Sequence, residues 1–393
     1  MASSIETTST TTTLKNNGNT YLSVDTNDDV AITNTLTATS PTFTTPILGT
    51  PTSGTVTNLT GTASININGT VGATTPAAAT VTSLNGGQLA GNRNIIINGA
   101  QEVDQRHAGA SAAASSQYVT DRWKVQSNGG AGDAEQIDST IAGFKSSLKY
   151  TADASIVWNQ IGQQIEYKNY SHLVGKEVII SFYAKANNTN GGSTALTVRT
   201  RSATGEDAAC LFSGANTDTS KTISTTAARY TATRTIPSDS KSFSLEFGLG
   251  SHVSTDGYEI TGIQIEEGSV ATPFEHRSYG TELALCQRYC QVIYPAGDQG
   301  FAVGFNRSTT LASTIMTLPT EMRAAPTVTF SAQDAFQVHF ANSIAQSTAM
   351  ALGEKNTKAI TINATVASGL TAGQGIQIRE HTAGAWLNIS AEL

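Results

Sequence analysis

Two adjacent carboxylates, Glu266 and Glu267, have side chains that could cleave a glycan, because glycoside hydrolases use two carboxyl groups that flank one glycosidic bond. The pair follows an alternating apolar segment over 258–265, and consecutive strand residues point to opposite faces of a sheet. The two carboxyl groups therefore cannot flank one bond, and we expect solvated charges at a strand end. A pair of acids assembled from distant loops stays open, so an enzyme remains an alternative.

The six histidines and three cysteines lack the spacing of a metal site. The histidines are scattered, and Cys286 and Cys290 have no two further ligands at zinc spacing. The sequence has no nucleophile elbow, phosphate-binding Gly-rich loop or His-Glu-x-x-His segment. It therefore predicts no metal, no cofactor and no catalytic residue. We expect Cys210, Cys286 and Cys290 to be reduced and to pack in the interior.

Aromatic residues near amide side chains suit another chemistry, because a sugar ring stacks on an aromatic face and its hydroxyls bond to amides. Trp158 lies in a stretch rich in Gln and Asn, Trp386 lies near the carboxyl end, and Trp123 is expected in the core. We predict a glycan contact first at Trp386, with His381 and Asn306 as further candidates. Trp158 is the alternative within the preceding β domain.

Three segments, 301–308, 342–347 and 381–387, are predicted as polar loops with little charge. Asn306 falls in the first of them, and His381 and Trp386 fall in the last. Such loops suit neutral sugars, whereas a phosphate-rich surface would call for clusters of Arg and Lys.

The charge balance excludes several classes of protein. Among 393 residues there are 23 Lys and Arg against 30 Asp and Glu, a net charge of −7, and the charged fraction of 13% is about half the usual value. A nucleic-acid binder normally needs a basic face, so no nucleic-acid partner is expected. The sequence has no window of 18 apolar residues, so no membrane insertion is expected, and residues 1–15 do not resemble a secretory signal.

The amino-terminal part, residues 1–90, is rich in Thr and Ser and sparse in large apolar residues. A weak repeat relates 51–59 to 76–84. This composition cannot bury enough apolar surface alone to offset the conformational entropy of folding. We expect a thin fibrous β segment that several chains share.

The remaining residues predict a mainly β protein. Alternating strands over 178–185, 242–249 and 258–265 indicate a β-sandwich at 91–277, with a β-bulge at Gly262 where the apolar phase flips. A connecting segment, 278–297, contains a predicted helix over 281–294 that begins at Thr281. Residues 298–393 return to β patterning and predict a smaller carboxyl-terminal β domain.

Several segments resemble a jelly-roll module of bacteriophage tail fibre proteins, over roughly residues 92–330. The segments that match the module are Asn94-Ile-Ile-Ile-Asn-Gly99, Gln105-Arg106, Asp121-Arg-Trp123, Ile263-Gln-Ile-Glu-Glu-Gly268, Ala271-Thr-Pro-Phe-Glu275 and Glu282-Leu-Ala-Leu-Cys-Gln-Arg-Tyr289. Pro319-x-x-Met322-Arg-Ala-Ala-Pro326 resembles the strand entry of the domain that follows the module.

The resemblance implies a homotrimeric virion fibre with a sandwich similar to carbohydrate-binding modules. It carries over no catalytic residues. It implies a turn at Asn98-Gly99, a charged pair of Asp121 and Arg122 beside a packed Trp123, and a strand exit at Pro273-Phe274.

Three functions follow as hypotheses. The favoured one is a non-enzymatic tail fibre in the phage virion, assembled in the host bacterial cytoplasm. It would attach to a tail, baseplate or adaptor protein through residues 1–90 and adsorb to host-cell surface polysaccharide. The alternatives are a tailspike-type polysaccharide-degrading enzyme and a purely structural baseplate or collar fibre.

Overall fold

Alternating polar and apolar residues fold this chain mainly into β-strands, which confirms the predicted fold class. The computed structural model describes residues 3–7, 11–16, 19–25, 30–31, 91–113, 116–128, 132–152, 157–187, 194–250, 256–295, 300–341 and 343–393. These residues belong to two compact units, 1–78 and 79–393. In the described ranges no helix is long and apolar enough to span a bilayer.

The amino-terminal unit contains an antiparallel sheet in which each strand pairs with the next along the chain. Its strands are β1 (Ser3–Thr7), β2 (Thr11–Asn16), β3 (Asn19–Asp25) and β4 (Val30–Ala31). The repeat at 51–59 and 76–84 and the boundary predicted at residue 90 lie outside the described residues, and sharing between chains stays a prediction.

The second unit begins with a sandwich of two six-stranded sheets, counted over the described ranges. The first sheet has the order β13-β12-β15-β10-β7-β6 and the second β14-β11-β16-β9-β8-β5. The strands are β5 (Ala112–Ala113), β6 (Gln117–Thr120), β7 (Trp123–Asn128), β8 (Gly132–Asp138), β9 (Ser146–Ala152), β10 (Trp158–Ile165), β11 (Glu177–Ala186), β12 (Thr194–Ala203), β13 (Asn216–Ile223), β14 (Ala228–Thr235), β15 (Ser242–Leu249) and β16 (Gly257–Glu267). A short helix, α1 (Tyr167–Tyr170), follows β10.

The sandwich core is built by the inward residues of both sheets, as the alternating segments predict. Phe182 of β11 packs against Phe247 of β15 at 4.8 Å between ring centroids, and Trp123 lies 6.3 Å from the same ring. Trp123 is fully buried, and its indole N–H donates to the carbonyl oxygen of Asn98 at 3.0 Å. The core position predicted for Trp123 is confirmed.

The predicted bulge at Gly262 is present. The register between β11 and β16 shifts between Ser181 and Tyr183, opposite Gly262, whose φ is +59°. A Cβ here would lie 2.3 Å from the Phe144 ring. Only glycine fits this conformation and this close approach.

The helix predicted over 281–294 is wrong in its second half. Helix α2 spans Tyr279–Gln287 and is capped by Ser278, whose hydroxyl accepts from the Thr281 N–H at 3.4 Å. The chain then turns into strand β17 (Cys290–Ile293), which pairs with β25 (Leu387–Ser390). Long-range pairing with a strand almost a hundred residues away overrides the local helical periodicity.

The carboxyl-terminal domain is a closed barrel in the order β18-β19-β23-β22-β21-β24, with a three-stranded sheet, β17-β25-β20, beside it. The remaining strands are β18 (Ala302–Asn306), β19 (Leu311–Thr317), β20 (Thr327–Phe330), β21 (Phe336–Phe340), β22 (Ser343–Lys355), β23 (Ala359–Val366) and β24 (Gly375–Glu380). The predicted loops 301–308 and 342–347 therefore consist largely of strand residues. These strands were not predicted, because their short alternating segments are interrupted by glycine and serine.

Segments that resemble the fibre module form the junction between the sandwich, α2 and the carboxyl terminus. Asp121 pairs with Arg106 at 3.3 Å, whereas Arg122 pairs with Glu392 and stacks 3.7 Å from the centre of the Tyr289 ring. Asp121 and Arg122 are thus not partners of each other, because adjacent residues direct their side chains to different neighbours.

Candidate functional site

The outer face of the first sandwich sheet carries an open cleft of about 370 Å³, called here the sheet cleft. It is lined by residues of β10, β12 and β15 and of the loop between β12 and β13: Trp158, Asn159, Gln160, Thr197, Arg199, Arg201, Phe212, Glu246, Gly248, Leu249 and Gly250. Strand alternation accounts for most of this lining, because Ile161, Val198 and Phe247 of the same strands point into the core. Asn159 and Leu249 are the exceptions, since they have the inward phase of β10 and β15.

A glycine forms the middle of the cleft floor. Gly248 pairs with Gln160 on one side and Thr197 on the other, in the centre of the sheet. A Cβ at Gly248 would lie 2.4 Å from the carbonyl oxygen of Asn159, so a side chain would both clash and fill the cleft. The missing side chain leaves room for a ligand above the strand.

Two aromatic residues stand in the cleft. Trp158, at the start of β10, is half-buried, and Phe212 is half-buried in the loop above the sheet. Phe212 has a φ of +64°, a conformation that is costly for a bulky residue, and its N–H donates to Glu246 Oε1 at 2.8 Å. The structure holds Phe212 in this position at an energetic cost, which is typical of binding sites.

A buried ion pair supports this loop from below. Arg201 Nε donates to both carboxylate oxygens of Glu246, at 2.9 and 3.1 Å, and its Nη1 donates to the carbonyl oxygen of Gly214 at 2.6 Å. Burial raises the pKa of the Glu246 carboxyl, while the Phe212 N–H and the Arg201 charge oppose that rise. Glu246 is fully buried, so it positions the loop and does not reach a ligand.

A second ion pair lies at the cleft wall, closer to solvent. Arg199 donates to both oxygens of Asp218, at 2.7 and 2.6 Å, and Asn216 donates to Asp218 Oδ1 at 2.7 Å. The hydrogen bonds from Arg199 lower the pKa of Asp218, so this carboxyl group stays ionised. Arg199 thus neutralises Asp218 through a bidentate pair, and Arg201 neutralises Glu246 through its Nε alone.

Two further polar groups of the lining remain available to a ligand. The Gln160 amide and the Thr197 hydroxyl line the cleft without a hydrogen-bond partner among the described residues. Aromatic faces beside an amide and a hydroxyl can stack on a sugar ring and bond to its hydroxyls.

The structure separates the four predicted contact residues. Trp158 lies in the sheet cleft. Trp386 is half-buried in a second cleft, where sandwich residues and carboxyl-terminal residues meet, so it does not stand on a surface of the carboxyl-terminal domain alone. His381 is exposed on a turn, and its Nδ1 lies 3.3 Å from Gln337 Oε1.

The glycan contact predicted at Asn306 is wrong. It is the last residue of β18 and is fully buried, because alternation on this strand turns Val303 and Phe305 outward. Its side chain cannot contact a receptor from this position.

The acidic pair Glu266 and Glu267 also differs from the expectation. Glu266 is buried, accepts hydrogen bonds from the Thr272 N–H and hydroxyl at 2.8 and 2.7 Å, and is therefore not solvated. Glu267 faces the other way and pairs with Lys176 at 3.0 Å. The two carboxylates do diverge, as the strand argument predicts. The three cysteines are free and buried, as expected.

Sequence reasoning missed Phe212, Arg199, Arg201 and Gln160. The alternation Thr197, Arg199, Arg201 along β12 was an available signal, because three polar residues at a spacing of two share one face. The sequence did not reveal which strands flank β12, so it could not bring these residues together with Trp158.

No family model matches this chain, and no curated protein matches it. Similar solved structures include a putative sugar binding protein from Bacteroides thetaiotaomicron, at 13% identity, a TM-score of 0.31 and coverage of 44% of this chain and 99% of that one. A xylan-binding domain from Paenibacillus barcinonensis has 17% identity, a TM-score of 0.28 and coverage of 42% and 99%. The enzymatically active domain of tailspike protein 4 of bacteriophage CBA120 has 14% identity and a TM-score of 0.31, covering 44% of this chain and 21% of that one. Similarities this low carry no argument about the ligand of this chain.

Proposed function

We propose that this protein binds a glycan in the sheet cleft. The observation that carries the proposal is the half-buried Trp158 beside the unpartnered Gln160 amide, in an open cleft that a strained Phe212 faces. An apolar ring face and hydroxyls on one ligand match this combination. Both nearby carboxylates are neutralised by arginine, so the cleft favours a neutral glycan.

We further propose that the chain is a tail fibre of a bacteriophage virion that adsorbs to host-cell surface polysaccharide. The resemblance of 94–99, 121–123 and 263–268 to fibre modules supports this role, together with the β architecture. In this proposal residues 1–90 attach to the tail, and assembly takes place in the host cytoplasm.

Binding without cleavage is favoured over a tailspike-type enzyme by the state of the two carboxylates that pair with Arg201 and Arg199 of the cleft. A general acid must carry a proton and reach the glycosidic oxygen. Glu246 is buried beneath Arg201 and the loop of Phe212, and Asp218 is held ionised by Arg199.

A homotrimer would give weak sugar sites a higher avidity. Val303 and Phe305 of β18 and Ile315 of β19 lie more than half exposed on the outer face of the barrel, and Val303 pairs directly with Ile315. We propose that further copies of this chain cover this apolar patch. Sedimentation should give a trimer for the full chain and a smaller species for Ile315→Asp. A monodisperse wild-type monomer contradicts the proposed assembly.

Glycan binding is tested with the full chain on an array of neutral and acidic bacterial polysaccharides. We expect wild-type binding to a neutral glycan, a loss of binding in Trp158→Ala, and retention in Val157→Ala, which removes an exposed neighbour instead. Unchanged glycan binding by Trp158→Ala would contradict the proposed site. Release of reducing ends from the bound polysaccharide would instead show that the protein is a polysaccharide-degrading enzyme. Binding to virion proteins alone would favour the alternative of a purely structural baseplate or collar fibre.

A further inference from the structure

The second cleft, called here the junction cleft, also measures about 370 Å³ and is rich in aromatic residues. Its lining comes from the sandwich and from the three-stranded sheet beside the barrel: Arg106, His107, Gln117, Tyr118, Val292, Tyr294, Trp386 and Asn388. The rings of Tyr118, Tyr294 and Trp386 and the side chain of Val292 make it mainly apolar, and polar groups surround them.

Two of these rings, those of Tyr118 and Tyr294, are held through their hydroxyl groups, and Arg106 covers one face of the Tyr118 ring. The Tyr118 hydroxyl donates to the carbonyl oxygen of Leu393 at 3.3 Å, and the Arg106 guanidinium lies 4.6 Å from the centre of the Tyr118 ring. The Tyr294 hydroxyl lies 3.3 Å from the carbonyl oxygens of both Gln105 and Arg106, yet Tyr294 remains 51% exposed. The hydroxyl contacts leave the face of Tyr294 accessible to a ligand.

Arg106, which lines the junction cleft, is already paired. Arg106 contacts Asp121 at 3.3 Å and Glu392 at 2.8 Å, and no carboxylate lines the cleft among the described residues. The Cys290 thiol donates to Asn388 Oδ1 at 3.2 Å, which leaves the Asn388 amide hydrogens for another acceptor. A neutral ligand with an apolar ring face and hydroxyl groups fits this surface.

The strand register places the junction cleft and the sheet cleft on one face of the first sheet. Trp158 pairs with Asn128 and Gln160 with Gln126 across β10 and β7, while Tyr118 of β6 pairs with Lys124 of β7. Directly paired residues share a face, so Lys124, Gln126 and Asn128 form a polar strip from one cleft to the other. Four residues along β7 and two strand spacings separate Trp158 from Tyr118 by about 16 Å.

We propose that the junction cleft is a second sugar-binding subsite that continues the sheet cleft, so that the ligand is a linear neutral oligosaccharide long enough to cross the polar strip. This inference rests on the proposed glycan binding. Single sugars or disaccharides would occupy one cleft, and only longer chains would contact both Trp158 and Tyr294.

The test uses the full chain and calorimetric titration with graded xylo-, cello- and manno-oligosaccharides, from disaccharide to octasaccharide, together with the oligosaccharides cut from any polysaccharide that binds on the array. We expect wild-type affinity to rise with chain length. Tyr294→Ala should remove about a tenfold gain for the longest chains and leave the disaccharide affinity unchanged. Tyr294→Phe keeps the ring but loses the contacts of its hydroxyl, so it should retain most of the gain for the longest chains. Trp158→Ala should weaken binding at every length.

Two results overturn the inference and are distinguishable. If Tyr294→Ala and Trp386→Ala bind the longest chain as tightly as wild type while Trp158→Ala does not, the junction cleft is no subsite and glycan binding in the sheet cleft stands. If wild type binds none of these oligosaccharides, the proposed glycan binding fails and the second subsite fails with it.

Discussion

The two arginine pairs of the sheet cleft allow a matched test of burial. Arg201 and Arg199 lie two residues apart on β12, and each donates two hydrogen bonds to one carboxylate. The Arg201 and Glu246 side chains are 9% and 0% exposed, whereas those of Arg199 and Asp218 are 21% and 38% exposed. Removing either arginine breaks the same kind of contact in a different dielectric environment.

We expect Arg201→Met to destabilise the fold strongly, because it leaves the buried Glu246 charge without its cationic partner. Breaking a buried pair costs about 3–5 kcal/mol. At about 2–4 °C per kcal/mol, the melting temperature should fall by roughly 6–20 °C. Arg199→Met should cost about 0.2–1 kcal/mol, because solvent screens the exposed Asp218. Methionine keeps most of the apolar stem in both variants, which isolates the charge.

Thermal and urea unfolding of both variants measure this contrast, and pH adds a second readout. Burial raises the pKa of Glu246 in the folded state, and loss of Arg201 raises it further, so lowering the pH protonates Glu246 and should restore part of the stability of Arg201→Met. Arg201→Met/Glu246→Met should be more stable than Arg201→Met alone. Equal destabilisation by Arg201→Met and Arg199→Met would refute the reasoning.

Two further predictions concern the joints of the sandwich. Burial raises the pKa of Glu166, but hydrogen bonds from Arg288 and Tyr289 outweigh this effect, so the pKa in the folded state is lowered. The stability that this lowering contributes is present above about pH 4.3 and is lost as the pH falls through the folded-state pKa. Melting curves of Glu166→Gln should therefore show a smaller loss of stability in acid than those of wild type. Gly262→Ala should cost about 1–3 kcal/mol in urea unfolding because of its positive φ and the Phe144 ring, whereas Gly280→Ala, with open space in α2, should be neutral or stabilising.

The sandwich could be predicted because its strands alternate clearly. β11, β15 and β16 were each located to within two residues, and the bulge at Gly262 was found from the flip of apolar phase. The end of α2 could not be predicted, because residues 290–293 have a periodicity that fits a helix until β25 pairs with them. A local pattern does not contain the partner that decides between the two structures.

The candidate site was predictable in part, for the same reason. Trp158 was predicted as the alternative contact from its amide-rich neighbours. Arg199, Arg201 and Phe212 come near it only through the order β12-β15-β10, in which β15 joins β12 to β10. Asn306 was misplaced because one glycine in β18 obscured an alternation that buries every second residue.

The surroundings of Trp386 differ from those that the sequence predicted. The prediction treated 298–393 as an independent domain, so an aromatic residue near its end had to face outward. In the structure β25 returns to pair with β17, and Glu392 binds Arg106 and Arg122 of the sandwich. The carboxyl-terminal residues therefore complete a wall of the junction cleft, with Trp386 beside Tyr118 and Tyr294. A cleft built by two domains holds its aromatic faces at a fixed separation only while both domains stay joined. If the proposed subsite is correct, we therefore expect ligand affinity there to depend on the buried ion pairs that join the two domains.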